Sequence, residues 1–215
     1  MVGSIVRIDI WSDVICPWCY LGSRRLDAAL ERLGRDDVEI RWHAFQLDPG
    51  APPASQDLRT ALERKYGPGS FDAMTTRLTS LGAAAGIDYR FDLARRVNTF
   101  DAHRLLAWAA TRSGGQGPLV ERLFLAYFTE GADVSDHATL SGLVAEAGGD
   151  VGAAAAVLAG DEFADEVRAD VAVARERDVT GVPAFVVDGG VMIPGAQDVD
   201  TFVRVLERTA ARGSN

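Results

Sequence analysis

The chain has 215 residues, a length that suits one large domain or one domain carrying an insertion. Its composition, 47% hydrophobic and 25% charged residues, is ordinary for a soluble globular protein and excludes a disordered, collagen-like or coiled-coil chain. The net charge of -9 argues against a nucleic-acid partner, because phosphate binding requires a basic surface. No stretch approaches the ~20 consecutive apolar residues of a membrane span, and the N-terminus has no signal-peptide pattern. We therefore expect a cytoplasmic protein with no membrane partner.

The start of the chain predicts a strand, a helix and a second strand. Apolar residues alternate over residues 5–11, as in a half-buried strand. Helical spacing follows over residues 16–33, with Pro17 near the first helical position, where a missing N–H costs nothing. Alternation returns over residues 38–43. Together these elements have the size of a parallel crossover unit.

The middle of the chain, from Gln56 to roughly Asp178, is predicted to be almost wholly helical. Ser70, Ser135 and Asp161 are the expected N-caps. No fixed-period repeat is visible, so a solenoid is not favoured. Residues 130–178 carry twelve acidic and three basic side chains, which we interpret as a solvated acidic face. The predicted helices cover residues 57–66, 71–85, 99–111, 118–129, 136–147, 151–158 and 162–177.

The end of the chain returns to strands. Two apolar runs, residues 184–187 and 191–193, are joined by Asp-Gly-Gly and predict a β-hairpin. A last helix is expected over residues 199–210, with Asp198 as its cap. The order of elements predicts a mixed sheet interrupted by a helical insertion: one discontinuous domain over residues 1–54 and 162–215, and a helical domain over residues 55–161.

The two cysteines lie in a Cys16-Pro17-Trp18-Cys19 motif where a strand gives way to a helix. Free backbone N–H groups and the helix dipole stabilise an anion there, which favours the thiolate of Cys16. Cys19 lies one helical turn further on and is more sheltered. We therefore expect Cys16 to be the exposed nucleophile and Cys19 the resolving thiol in thiol-disulfide exchange.

Two other interpretations of the motif are weaker. A zinc site would need further ligands, but there is no second CxxC, and the three histidines are scattered along the chain. No metal is therefore expected. A pair of inert core cysteines does not suit a strand-to-helix junction, and a CxxC beside a strand-helix-strand unit indicates a redox motif.

Four motifs carry a resemblance to a known family. The CxxC and the later Val-Pro before a hairpin strand resemble the thioredoxin fold, and the helical block between them resembles its DsbA-type variant. More narrowly, the chain is similar to the FrnE-like branch of the DsbA-family thiol oxidoreductases. The expected fold class is therefore α/β: a thioredoxin-like mixed central sheet with flanking helices and a large all-helical, DsbA-like insertion. The motifs are SDVICPWCY (12–20), WHAFQLDP (42–49), NTFDAHRL (98–105) and GVPAFV (181–186).

The resemblance also implies how the site is built. Pro183 is expected to be cis, with its loop over the active-site disulfide, so that the backbone of Val182 can pair with an extended substrate. Trp18 replaces the histidine of the best-known periplasmic members and is expected to shape the lip of the groove. Asp13 is interpreted as a turn residue, with proton transfer as the alternative. Other residues expected to line the substrate cleft are Pro17, His43, Phe45, Asn98 and His103, although a hydrogen-bonded structural role is favoured for each histidine.

The leading functional hypothesis is a cytoplasmic thiol-disulfide oxidoreductase of the DsbA family that acts on protein or small-molecule thiols and disulfides. It needs no cofactor beyond the redox-active Cys16-Cys19 disulfide, with glutathione possible as a co-substrate. The alternative is a glutathione-dependent enzyme resembling 2-hydroxychromene-2-carboxylate isomerases or kappa-class glutathione transferases, in which a serine typically occupies the position of Cys16. A peptide-binding holdase is the third hypothesis. The physiological substrate, the direction of electron flow and the oligomeric state are left open.

Overall fold

The computed structural model describes residues 5–52 and 54–213. Every segment predicted to be regular is found, and the seven helices predicted in the middle of the chain end within two residues of their expected bounds. The elements, in chain order, are β1 (Val6–Ser12), α1 (Pro17–Leu33), β2 (Val38–Ala44), β3 (Gln56–Asp57), α2 (Leu58–Tyr66), α3 (Ser70–Ala84), β4 (Arg95–Arg96), α4 (Phe100–Ala110), α5 (Gly117–Phe128), α6 (His137–Glu146), α7 (Val151–Ala159), α8 (Ala164–Glu176), β5 (Ala184–Val187), β6 (Val191–Pro194) and α9 (Val199–Gly213).

A four-stranded mixed sheet with the order β2-β1-β5-β6 forms the centre of the molecule. β1 pairs with β2 in parallel, which confirms the crossover unit, and pairs with β5 in the antiparallel sense. The β5–β6 hairpin is also confirmed. Its turn places Asp188 and Gly189 at positive φ (48° and 71°), which Asp-Gly tolerates. β1 is buried along nearly its whole length because it is a central strand with helices on both faces.

The two faces of the sheet are covered by different helices. On one face, α1 and α9 pack together, with Leu26 and Phe202 against Ile10 and Phe185. On the other face, Trp11 of β1 packs with Ala174 of α8. Because neighbouring residues of a strand point to opposite faces, one short stretch of β1 serves both layers.

The largest hydrophobic cluster lies among the helices between β2 and β5, and it extends into the first turn of α1. Tyr20 stacks on Phe124 of α5, with ring centroids 5.0 Å apart. Cys16 and Cys19 belong to this cluster and not to the core under the sheet. The CPWC motif therefore lies where the helical segment meets the sheet. Within the described residues, no helix combines the length and the apolar run that a membrane crossing requires.

Several local predictions were wrong. Ser70 is the first residue of α3 and Gly69 is its N-cap; Asp136, not Ser135, caps α6 through the N–H of Thr139. α8 begins after Phe163, which adopts a left-handed conformation (φ 63°), so Asp161 does not cap it. The segment predicted to be almost wholly helical also contains a short antiparallel pair of two-residue strands, β3 and β4. Strands of two polar residues cannot show the alternation of apolar residues by which a strand is predicted, so they were missed. The expected cap Asp198 is confirmed, since its carboxylate accepts the N–H of Thr201 at 2.7 Å.

Candidate functional site

The CPWC motif begins in the turn that follows β1. The Cys16 N–H donates to the Asp13 carbonyl at 3.0 Å, which closes the turn. Cys16 is the N-cap residue of α1 with extended backbone angles (φ -89°, ψ 111°), and Pro17 is the first helical residue. Cys19 lies one turn inside the helix, and its N–H bonds to the Cys16 carbonyl at 3.0 Å. The predicted position of the motif is confirmed.

The prediction that Cys16 is exposed was wrong. Cys16 is only 3% exposed and Cys19 1%. The reason is the loop before β5, whose Val182 carbonyl lies 3.6 Å from the Cys16 sulfur. The Val182–Pro183 peptide bond is cis, the isomer that the resemblance implied. Gly22 of α1 allows this approach, because a Cβ there would meet Pro183 Cγ at 3.1 Å.

The Cys19 thiol is held in its neutral form. Burial, followed by its hydrogen bond with Cys16, raises the pKa of Cys19 well above its ordinary value. The side chain of Ser12 and the backbone of Asp13 also hydrogen-bond Cys19 and oppose this rise without cancelling it. A reaction in which Cys19 attacks as a thiolate must therefore first remove a proton from a buried sulfur.

Asp13 and His103, which we call the His103 pair, lie buried behind the cysteines. Asp13 is 0% and His103 4% exposed. Asp13 Oδ2 accepts the N–H of Leu47 at 2.7 Å, so its side chain does not cap α1, while its carbonyl closes the predicted turn. Asp13 Oδ1 lies 3.4 Å from His103 Nε2, and neither atom has a hydrogen-bond partner among the described residues. His103 is as buried as Cys16, and its contact with a substrate stays a prediction.

His43, Asp9 and Asp170, which we call the His43 cluster, connect the sheet to α8. His43 Nδ1 lies 2.7 Å from Asp170 Oδ1, and its Nε2 lies 2.9 Å from Asp9 Oδ1. The ring also stacks on Trp11, with centroids 4.6 Å apart. Burial alone would lower the pKa of His43, but the hydrogen bonds to Asp170 and Asp9 outweigh it and raise the pKa. Both ring nitrogens are engaged, as in the structural role favoured for this histidine.

The remaining residues expected to line the cleft lie in different surroundings. Trp18 and Val182 are half-buried and pack against the large helical cluster beside Cys16. Phe45 packs in the cluster under α8, which Val182 also contacts. Asn98 lies in a separate cleft, where its Oδ1 accepts the N–H of Phe100 at 2.9 Å. The structure therefore brings Trp18 and Val182 to the cysteines, with Phe45 next to Val182, and leaves Asn98 apart.

Tyr89 is a site residue that the sequence analysis missed. Its hydroxyl donates to the Pro17 carbonyl inside the motif. Burial, and then the neighbouring Cys16, raise the pKa of Tyr89 well above its ordinary value, so it remains a neutral donor. The ring lies against Gly82 of α3, where any Cβ would collide with it. No pattern indicates this role, because Tyr89 is in an irregular segment and contacts the motif only through the fold.

Comparisons with known proteins identify the family and the fold. A family model described as a DSBA-like thioredoxin domain matches residues 7–207. A probable DsbA oxidoreductase from Streptomyces coelicolor superposes with a TM-score of 0.88 at 37% identity, covering 94% of this chain and 89% of its own.

Two other solved structures are less similar in sequence and show the fold alone. A 2-hydroxychromene-2-carboxylate isomerase has a TM-score of 0.72 at 18% identity and covers 97% of this chain and 98% of its own. The cytosolic disulfide reductase DsbM from Pseudomonas aeruginosa has a TM-score of 0.69 at 19% identity, with 94% and 98% covered, and a second DsbM structure includes GSH. The predicted thioredoxin-like fold is confirmed, and the chain belongs to the family of DSBA-like thioredoxin domains.

Proposed function

We propose that the protein is a thiol-disulfide oxidoreductase in which Cys16 is the nucleophile and Cys19 the resolving thiol. The observation that carries this proposal is the position of the Cys16 sulfur, at the start of α1 and 3.6 Å from the Val182 carbonyl. A substrate segment that pairs with the backbone at Val182 brings its own sulfur next to Cys16. Family membership supports the same class of chemistry.

The reduction of a substrate disulfide then takes two exchange steps. The Cys16 thiolate attacks one substrate sulfur, a Cys16-substrate disulfide forms, and the other substrate sulfur leaves as a thiolate that takes up a proton. Cys19 loses its proton and attacks the Cys16 sulfur, which forms the Cys16-Cys19 disulfide and releases the second substrate thiolate. The substrate gains two electrons and the protein loses them. Oxidation of a substrate dithiol is the reverse sequence.

Substrate contacts are proposed for the residues around this sulfur. Pro17 and Trp18 border Cys16, and Val182 supplies the backbone edge, with Phe45 behind it. Asn98 is retained as a contact for the more distant part of a long substrate, because its cleft is open to solvent and lined by polar side chains. The division of the chain into residues 1–54 with 162–215 and residues 55–161 is likewise a proposal.

The cellular setting is proposed to be the cytoplasm, with glutathione or a protein dithiol as the electron partner. The fold neighbour DsbM is described as a cytosolic disulfide reductase and has been solved with GSH, which supports both parts of the proposal by analogy of fold. The FrnE-like branch remains the narrower family assignment that we propose from the four sequence motifs.

The direct test uses the fact that the chain has only two cysteines, so every thiol adduct is at Cys16 or Cys19. Insulin reduction and dithiol oxidation are expected to be lost in Cys16→Ser. Cys19→Ser is expected to retain the first exchange and to accumulate a mixed disulfide on Cys16, seen by intact-protein mass spectrometry. The matched control is Ser23→Ala, which removes a buried hydroxyl of α1, keeps the chain at two cysteines and should leave both activities in place. Full activity of Cys16→Ser would refute the proposal.

The glutathione-dependent isomerase or transferase is the second candidate, favoured only by the likeness of fold. In that chemistry a single group activates glutathione, so Cys19 would be dispensable. Measuring conjugation or isomerisation with glutathione in Cys19→Ala separates the two candidates. Turnover that survives this substitution supports the second candidate, and turnover that disappears with it supports disulfide exchange.

A further inference from the structure

Tyr89 connects the helical segment between β2 and β5 to the CPWC motif. Tyr89 is only 5% exposed, and its hydroxyl donates to the carbonyl of Pro17, which lies between the two cysteines in the chain. A buried phenol hydroxyl generally has one hydrogen-bond partner. Here that partner is a main-chain atom of the motif itself, in the first turn of α1.

The packing around Tyr89 holds its hydroxyl in one place. The ring stacks on Phe91, with centroids 4.9 Å apart, and lies edge-on to Phe128 of α5 at 5.3 Å. On α3, a Cβ at Gly82 would lie 2.3 Å from Tyr89 Cδ2, so this ring position requires glycine there. The helical segment, and not the motif, therefore fixes where the hydroxyl points.

The hydrogen bond has an electrostatic consequence for Cys16. As the N-cap of α1, Cys16 lies at the positive end of the helix dipole. The phenol proton offsets the partial negative charge of the Pro17 carbonyl, which opposes that positive end close to the sulfur. After burial, the charge of Cys16 is the largest cause that raises the pKa of Tyr89. Because electrostatic interactions are reciprocal, the phenol dipole also acts on the charge of Cys16.

The same charge distinguishes the reduced protein from the oxidised one. In exchange with oxidised glutathione, the two thiols of the protein become the Cys16-Cys19 disulfide and one glutathione disulfide becomes two thiols. Two electrons pass from the protein to glutathione, and the two thiol protons end on the two glutathione molecules. Only the reduced protein carries a thiolate at Cys16, so a group that stabilises this charge favours the reduced form.

We propose that Tyr89 shifts the redox equilibrium of the Cys16-Cys19 pair toward the dithiol, acting through its hydrogen bond to the Pro17 carbonyl. This inference rests on the proposed function. Tyr89 is a positioning residue, since it acts on the sulfurs through the main chain of the motif. The helical segment, which contributes no sulfur, thereby takes part in setting how readily the motif gives up electrons.

The experiment is a redox titration in mixtures of reduced and oxidised glutathione. Each protein is equilibrated without oxygen, quenched with acid and alkylated, and intact-protein mass spectrometry gives the fraction of disulfide. Because the chain has only two cysteines, the mass reports on this pair alone. In Tyr89→Phe we expect the equilibrium constant to move about three- to tenfold toward the disulfide, the range for one hydrogen bond. A tenfold change corresponds to ~30 mV for this two-electron couple.

Tyr127→Phe is the matched control. Tyr127 is 1% exposed, and its hydroxyl donates to the carbonyl of Arg95 in β4, outside the motif. Both variants lose one buried phenol hydroxyl that bonds to a main-chain carbonyl, so both should lose unfolding free energy to a similar extent. Only Tyr89→Phe should change the glutathione equilibrium, which separates the proposed role from a purely structural one.

Gly82→Ala breaks the same hydrogen bond without changing the phenol. Its added methyl group displaces the Tyr89 ring, so the equilibrium should again move toward the disulfide. In the double variant with Tyr89→Phe, we expect no further shift, because the bond is already absent. Gly82→Ala also tests the proposal should Tyr89→Phe fail to fold, as judged by circular dichroism.

The outcomes are distinct for the two levels of the proposal. A wild-type glutathione equilibrium in both Tyr89→Phe and Gly82→Ala would overturn the role of Tyr89 and leave the exchange chemistry intact. An equal shift in Tyr127→Phe would overturn it as well, since any loosening of the aromatic packing would then have the same effect. A wild-type protein that forms no Cys16-Cys19 disulfide in any glutathione mixture would overturn the exchange chemistry itself.

Discussion

The His43 cluster and the His103 pair combine the same residue types in opposite ways. In the His43 cluster both ring nitrogens bond to carboxylates, and Asp170 Oδ2 also accepts the N–H of Ala44 at 2.9 Å. In the His103 pair, Asp13 Oδ1 and His103 Nε2 face each other at 3.4 Å with no bond to any other described group. The first arrangement is saturated with hydrogen bonds, and in the second these two atoms have no hydrogen-bond partner among the described residues.

This difference predicts that the two groups contribute unequally to the stability of the fold. A saturated buried network stabilises the fold, because removing one member leaves the others unpaired. An unsaturated pair contributes little to stability, and proteins keep such pairs at working sites. Here the saturated group joins α8 to the sheet, and the unsaturated one lies behind Cys16 and Cys19.

The largest expected effect is a loss of unfolding free energy when the His43 cluster is disrupted. Asp170→Ala removes an acceptor from His43 and from the Ala44 N–H, and should lower the free energy of unfolding by about 2 kcal/mol, the side chain being 28% exposed. Asp13→Asn keeps an oxygen that can accept the Leu47 N–H, so it should change the free energy of unfolding by less than about 1 kcal/mol. Urea denaturation of the two variants measures both values. Equal losses would break the distinction between the two regions.

A smaller effect is expected from pH on the stability that His43 contributes. The folded-state pKa of His43 is raised above the ordinary value of about 6.5 by its carboxylates, despite burial. Its contribution to stability is therefore complete below pH ~6.5 and is lost as the pH rises through the folded-state pKa. The difference in unfolding free energy between wild type and His43→Gln should be larger at low pH than at high pH.

The matched control for this titration is His137→Gln. His137 pairs with Asp101 at 2.8 Å, but its side chain is 52% exposed, so solvent screens the interaction. The loss of unfolding free energy in this variant should be smaller than in His43→Gln at the same low pH. A difference for His43→Gln that stays constant or grows with pH would contradict the charged form of the His43 cluster.

The smallest expected effect is that of Ser12→Ala on the rate at which Cys19 attacks the mixed disulfide. Ser12→Ala removes a side chain that lowers the pKa of Cys19 and that lines the same cavity as His43 and His103. Without it the pKa of Cys19 rises further, so we expect the attack of Cys19 on the mixed disulfide to slow by about threefold, equivalent to roughly 0.6 kcal/mol. Rapid-mixing kinetics measure this, with Ser23→Ala as a control for loss of a buried serine hydroxyl on α1. An unchanged rate of this step would show that Ser12 does not assist Cys19.

The sequence predicted those features that depend on residues close together in the chain. Helix and strand positions follow from apolar spacing, the start of α1 follows from Pro17, and the CxxC indicates redox chemistry by its position alone. Burial of Cys16 was missed, because the loop that covers it is 166 residues further along the chain. The position of Asp13 in a turn was predicted and is confirmed, because the turn joins neighbouring residues. The partners of its carboxylate could not be predicted, since they come from the loop after β2 and from α4.

By itself, then, the sequence determined the order of the elements, the location of the two thiols at the start of a helix and the family resemblance. Short-range periodicity and short motifs are sufficient for these. Only the tertiary structure decided which of two similar Asp-His combinations is saturated. Hydrogen-bond saturation depends on distances between groups from distant parts of the chain, such as Asp170 with Ala44 or Tyr89 with Pro17. Those distances are set by the packing of the helices against the sheet, so no local sequence pattern predicts them.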